Sequence, residues 1–425
     1  MNRRIHPLAL LLFTPLFGAA CGKISAGESD TADSGETTGD IVTVATTFEA
    51  TYDGTGEEEL SDVTLAADGG FLVAGHRSED EFATTSSALF FKTDPHGVPE
   101  WSHTVEGSSS VYGVAVARAA GGGAFLAGWG FAMGEGSSRD LFVTRVDESG
   151  AELWQKAYGT DSGDEELNGV IATSDGGLLL LGTQMTGPTL FDAYVVRIDS
   201  SGEELFSTVL GGDWDDYAWD AVEEQDGSFV VVGYREDAVE AAHKGWIFKL
   251  DSAGELQWER LHGGQNYDYA YSITATPDGG YAFSGASYSY TSEIASDLWV
   301  VKTDDEGREL WHRAVDLPFH QYGFGVVPDG DGGLVVGGIH LEQGNEVWEG
   351  LLVGLDSSGA TSWSREVGGD GKDSIYDLEV VGESGFVAIG YSSSYSDPGG
   401  LDGWMLRMDL DVNPSSESPE HHELP

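Results

Sequence analysis

The feature that most constrains this chain is an aspartate that returns seven times at nearly constant spacing. It stands at Asp94, Asp147, Asp199, Asp251, Asp304, Asp356 and Asp409, in steps of 53, 52, 52, 53, 52 and 53 residues. A second marker, a glycine that closes a short apolar run, returns at Gly75, Gly128, Gly182, Gly233, Gly285, Gly338 and Gly390. Two independent markers with one period mean seven copies of a single supersecondary unit. Such a unit cannot bury its apolar face alone, so the copies must pack on one another.

Each unit reads as four strands. In the fifth, "YAYSITATP", "YAFSG", "DLWVVKTD" and "ELWHRAV" are apolar or aromatic runs, separated by "DGG", a longer loop and "DEG". Aromatic and β-branched residues favour strands, Gly and Asp favour tight turns, and no segment keeps a helical period. Four strands per unit of this length predict an all-β fold, a seven-bladed β-propeller over residues 41–411. The seventh unit supplies only three strands and then runs into "LDVNPSSES", while "IVTVATTFEATYDG" precedes the first. In that segment Phe48 precedes Tyr52 as Trp154 precedes Tyr158. The N-terminal segment is therefore expected to complete the last blade and close the ring, which removes an unpaired sheet edge.

The pattern Asp-x-x-Gly-x-x-x-Trp recurs as Asp94 with Trp101, Asp147 with Trp154, Asp251 with Trp258, Asp304 with Trp311, and Asp356 with Trp363; Asp199 is followed by Phe206. An Asp carboxylate can accept from backbone amides two residues on, and Gly tolerates a positive φ. We read these residues as a turn and a wedge that dock one blade on the next, not as seven binding sites. A metal-binding role for the repeated carboxylate would place one ligand per blade, far apart around the rim.

The run "LGGDWDDYAWDAVEEQDGSFVVVGY", followed by "GWIFKLDSAGELQW", resembles the repeats of secreted bacterial seven-bladed β-propeller proteins. At the N-terminus, Arg3 and Arg4, the apolar stretch "LALLLFTPLFGAA" and "GAAC" resemble a bacterial lipoprotein signal, although Gly18 stands where Leu is usual. That resemblance implies export, with residues 1–20 removed and Cys21 lipidated. Residues 21–40, rich in Gly, Ser, Thr and acids, read as a flexible tether, and 412–425 as a disordered tail. The expected location is the outer membrane or cell surface, or else the periplasm or medium. The only membrane contact expected is the anchor.

Acidic residues outnumber basic ones 73 to 20, for a formal charge of −53. That field repels nucleic acid and favours cations and basic partners. With Cys21 the single cysteine, neither an intramolecular disulfide nor a cysteine metal cluster can form. No His-Glu-x-x-His, Gly-x-Ser-x-Gly, Walker loop, dinucleotide fingerprint or sialidase turn is present. A carboxylate pair for hydrolase or lyase chemistry on polysaccharide remains an alternative among so many acids, as does a structural scaffold lipoprotein.

In a propeller the a–b and c–d turns share one face. Here they are short and alike. The b–c and d–a loops of the other face differ from unit to unit, and function concentrates on variable loops of a rigid scaffold. Trp129, Trp214, Trp219 and Trp348 are the tryptophans that neither the docking motif nor the third strand explains, and they map to that face. With Asp215, Asp216, Tyr217, Tyr267, Asp268 and Tyr269 they form the candidate binding set, suited to a glycan or to a protein partner. The expected function is thus non-catalytic binding by a monomer. No cofactor is expected; Ca²⁺ on the acidic loops is the one metal considered.

Overall fold

The computed structural model describes residues 44–410 and 420–423, apart from 54–55, 79–84, 108, 132, 134–137, 161–162, 188–189, 238–241, 292–294, 316, 342–346, 383–384 and 397–399. Residues 1–40, including Cys21, lie outside the described residues. The described chain is all-β, with no helix among those residues, and forms seven antiparallel sheets, each in the order a-b-c-d. In the fifth blade the strands are Asp268–Ala275, Tyr281–Ser287, Asp297–Thr303 and Glu309–Val315. The ring closes as expected. Val44–Asp53 pairs antiparallel with Asp402–Leu410 of the seventh blade, bringing Tyr52 opposite Gly403. Within the segment expected to be a tail, Glu420–Glu423 adds a fifth strand parallel to Val44–Asp53.

Apolar residues form seven clusters among the described residues, and each lies between two neighbouring blades. The cluster at the ring closure joins Ala50, Tyr52, Ile389 and Met405 to Leu60, Phe71, Val73 and Phe91. Burial is therefore shared between units, as the repeat logic requires. Trp246, Trp299 and Trp404 of the third strands are fully buried in these layers.

The repeated motif builds the joint. The Asp carboxylate of each complete motif accepts two backbone amides; Asp304 takes Glu306 N at 3.0 Å and Arg308 N at 2.8 Å. The glycine that follows has positive φ, 72° at Gly307. This bare turn receives the strand d aromatic of the preceding blade. A Cβ on Gly307 would come within 2.6 Å of the Trp258 ring. Gly97 meets Phe48, Gly150 meets Trp101, Gly202 meets Trp154, Gly254 meets Phe206 and Gly359 meets Trp311 in the same way. The residue four beyond the aromatic adds a hydrogen bond to the glycine carbonyl at several joints: Tyr52 Oη to Gly97 at 2.8 Å, Tyr158 Oη to Gly202 at 2.9 Å. Trp363 faces no such glycine and lies over Gly354 of its own blade. The docking rings are half-buried rather than enclosed.

Three outcomes follow. Deleting residues 41–53 removes the closing strand and exposes Leu60, Phe71 and Phe91, so thermal unfolding should shift far down and lose cooperativity; a melt like that of the intact chain would refute the closure. Trp258→Ala should cost about 2–3 kcal/mol in denaturant unfolding, below the ~3–5 kcal/mol of a fully enclosed ring. Gly307→Ala should destabilise comparably through strain and collision with the same ring.

Candidate functional site

The first strands of the seven blades line a central channel. Each carries a β-bulge at the same place, between Leu60 and Asp62, Gly113 and Ala115, Leu167 and Gly169, Ala218 and Asp220, Ala270 and Ser272, Gly323 and Gly325, and Ile375 and Asp377. A bulge re-aims side chains and interrupts the ladder. The bulged residues are Ser61, Val114, Asn168, Trp219, Tyr271, Phe324 and Tyr376.

An innermost strand has no neighbour on its channel side, so its amides need acceptors from elsewhere. The preceding blade supplies them. Asp62 accepts Val116 N at 2.7 Å, Asp220 accepts Ile273 N at 2.9 Å, and Asp377 accepts Val63 N at 3.1 Å across the ring closure. Ser272 Oγ accepts Val326 N at 3.3 Å, and Asn168 Nδ2 donates to Ala218 O at 2.8 Å. Water reaches these carboxylates, yet protein surrounds them on all sides, and that enclosure controls their protonation. Burial pushes Asp62 and Asp220 up to about 6, and Glu59 and Glu379 up to about 7. Asp377 goes well above the usual carboxylate range, through burial and then the charge of Asp62, with which it shares a hydrogen bond. His76, paired across the strands with Glu59, is pushed down to about 4 by burial. The amides that Asp62 and Asp220 accept pull their pKa values down, and the burial of the same position outweighs that pull and raises them.

On the variable-loop side of blades four to seven, the channel wall becomes aromatic. Tyr217 stacks on Tyr234 at 4.6 Å, and Tyr234 meets Tyr269 edge to face at 4.9 Å. His243 stacks on Tyr234 and bonds Tyr269 Oη at 3.2 Å. The wall continues through Tyr271, Phe324, Tyr376 and Tyr391, each ring 5.4–5.7 Å from the next. Tyr288 and Tyr322 share a hydroxyl hydrogen bond of 2.9 Å. Two rings stand out from the wall: Trp214 is 49% exposed and Tyr267 is 47% exposed, the latter edge-on to His243.

The candidate set divides on this geometry. Tyr217, Trp219 and Tyr269 lie in the wall, Trp219 touching Tyr271 at 5.3 Å, and Tyr267 stands at its edge against His243. Trp214 and Asp215 lie on the loop beside it, Asp215 accepting Phe191 N at 2.9 Å. Trp129 is not on a loop. It lies in strand b of the second blade, 5% exposed and stacked on Tyr112 at 4.5 Å with the Arg139 guanidinium 5.4 Å away. Apolar packing between blades has drawn it inward. Trp348 opens a third strand, half-buried opposite Leu341. Asp216 and Asp268 are buried at the start of strand a and cannot meet a large partner.

Those two aspartates belong to a constellation that the sequence reading passed over. Glu58, Glu165, Asp216, Asp268 and Asp373 are buried at equivalent places, each seventeen residues before its strand b glycine (58 to 75, 165 to 182, and so on). Each is tied to the residue two beyond that glycine. Arg77 bonds Glu58 at 2.6 Å, Gln184 bonds Glu165 at 2.9 Å, and Arg235 lies 3.9 Å from Asp216. Ser287 and Ser392 donate to Asp268 and Asp373. The same period counting would have found them, but acids at a strand start read as solvent-facing when burial is unknown.

No protein-family model matches the chain, and no curated relative does either. Among solved structures, Sqt1 from Chaetomium thermophilum is similar at 11% identity over 87% of this chain and 100% of its own, with a TM-score of 0.49. YCF48 bound to D1 peptide is similar at 10% identity over 88% of this chain and 97% of its own, with a TM-score of 0.47. BBS1N in complex with ARL6DN also gives 10% identity, 88% and 98% coverage, and a TM-score of 0.47.

The raised carboxylates set a pH dependence. A folded-state pKa above the unfolded value means the native state holds protons that the unfolded chain has lost between about pH 4 and 7, so stability falls as pH rises through that window. His76 acts in the opposite sense between about 4 and 6.5. Asp62→Asn keeps an acceptor for Val116 N and offers Asp377 a donor. It should therefore melt higher than the parent at pH 8 and no higher at pH 5. Equal differences at both pH values would show that Asp62 is not enclosed as described.

Proposed function

We propose that this chain is an exported, lipid-anchored binding module that holds a protein partner against the aromatic wall on its variable-loop face and performs no reaction of its own. The observation that carries this is the continuous ring network from Tyr217 to Tyr391, with Trp214 and Tyr267 projecting at its rim. Rings already packed on one another lose little freedom when a partner arrives, and Trp and Tyr are the residues on which interface energy concentrates. A formal charge of −53 favours a partner that presents basic groups and speeds its approach at low salt. The channel carboxylates are already committed to backbone amides, which speaks for a scaffold rather than a pair poised for acid–base work.

The test compares the full chain with a Trp214→Ala/Tyr267→Ala double variant as baits for cell-envelope extract. Neither ring is in a packed layer, so both baits should melt alike. The parent should retain a basic protein that the variant loses by tenfold or more, and retention should fall between 50 and 500 mM salt. Equal retention by both baits would overturn the proposal. Release by soluble polysaccharide instead of salt would reassign the wall to a glycan, and new oligosaccharide ends in the eluate would reassign it to an enzyme.

A further inference from the structure

The buried acids at the start of strand a face a second residue across each blade joint: the one at the start of strand c in the preceding blade. At the joint of blades three and four these are Asp216 and Asp192, 1% and 9% exposed. Asp192 Oδ1 is buried without a hydrogen-bond partner, and the buried Asp216 Oδ2 has only the electrostatic pull of the Gly212 amide on its carboxylate. Both oxygens point at Gly211, the residue after strand d, where any Cβ would fall on them. The other oxygens are engaged. Thr186 Oγ1 donates to Asp192 Oδ2, and Asp216 Oδ1 accepts Glu236 N at 3.3 Å and lies 3.9 Å from Arg235 Nε. Arg235 is itself held by Glu259 at 2.7 Å. Two buried carboxylate oxygens thus converge on one space, with the Arg235 guanidinium, which Asp216 shares with Glu259, on the far side. Leaving such oxygens buried and unsatisfied is costly.

The neighbouring joint shows what the space accepts. Fifty-two residues along, Lys244 takes the place of Asp192 and Asp268 that of Asp216. The Lys244 ammonium donates to Gly264 O, next to Asp268, whose Oδ2 accepts Gly264 N at 2.9 Å, and its charge acts directly on Asp268. One joint therefore carries a tethered cation where the other carries a second carboxylate. The acidic version recurs. At the ring closure Asp53, Glu58 and Asp402 bring ligand oxygens within 4.8 Å of one another. Between blades two and three, Asp140 Oδ1 and Glu165 Oε2 flank Gly159 as the aspartates flank Gly211.

We propose that a hard divalent cation of the Ca²⁺ class binds between Asp192 and Asp216 and fastens the third blade to the fourth, the counterpart of the Lys244 ammonium at the next joint. Oxygen-only donors of carboxylate type suit Ca²⁺, which tolerates irregular coordination, better than Mg²⁺, which demands a strict octahedron. Without the cation, burial and the charge of Asp192 push Asp216 up to about 7, against the pull of Arg235 and the Gly212 amide, so a proton is the competing occupant.

The full chain, freed of metal by chelation, is titrated with Ca²⁺ by calorimetry and melted with and without Ca²⁺. The parent should bind Ca²⁺ and melt higher in its presence. Asp192→Asn should weaken one component of the isotherm at least tenfold. Asp192→Lys copies the neighbouring joint, so it should lose that component while melting in chelator at least as high as the parent, which guards against a simple folding defect. Lys244→Asp should add one bound Ca²⁺ per chain. A parent that takes up no Ca²⁺, or Asp192 and Lys244 variants whose stoichiometry equals that of the parent, would overturn the proposal.

Discussion

The contact on which the rest of this molecule depends is an aromatic ring on a bare glycine turn, made from one blade to the next at six of the seven joints. A four-stranded sheet with two apolar faces is unstable alone, and here each face is covered only by a neighbour. The ring from strand d sets how closely the next blade can approach, and the glycine sets where the ring can lie. A side chain at Gly254 or Gly307 would push the blades apart at the perimeter. At the first joint Phe48 of the N-terminal segment performs the same task on Gly97, so closure uses the same device as propagation.

Perimeter contacts alone would leave seven open sheet edges facing the channel. The bulged first strand answers that problem in five blades, where it turns a polar side chain toward the backbone of the next blade, to an amide in four of them and to a carbonyl at Asn168. Carboxylates at Asp62, Asp220 and Asp377, with Ser272 and Asn168, form an inner belt that complements the outer ring of docking aromatics. The belt demands acids held in a low-dielectric channel, and their raised pKa values are its electrostatic cost. The aromatic wall lies above this belt on the variable side. Its rings therefore rest on a rigid base, which favours the proposed capture of a partner.

Much of this was legible in the sequence because repetition multiplies weak signals. A single Asp-x-x-Gly turn means little, but six complete copies at one spacing, with a seventh aspartate in register, establish blade number, strand order and the missing strand at once. The docking role of Trp258 or Trp311 could be read from spacing because strand d places every copy at the same height. The candidate site was less legible. Trp214 was found by subtraction, as a tryptophan that the repeat does not use, and Tyr267 by the acids and rings beside it; both side chains are exposed. Trp129 was found by the same subtraction and is buried, because subtraction carries no information on which way a strand residue points.

The sequence by itself determined the period, the seven units, the four strands of each and the turn chemistry, since all of these are local consequences of residue type and spacing. Only the tertiary structure decided which acids are solvated and which are enclosed. Asp215 and Asp216 are adjacent in sequence, yet one caps a backbone amide beside an exposed loop and the other is sealed in a joint opposite Asp192. The physical reason is that burial and charge pairing arise between blades. They depend on distances across a joint, and no spacing along the chain encodes those until the ring has closed.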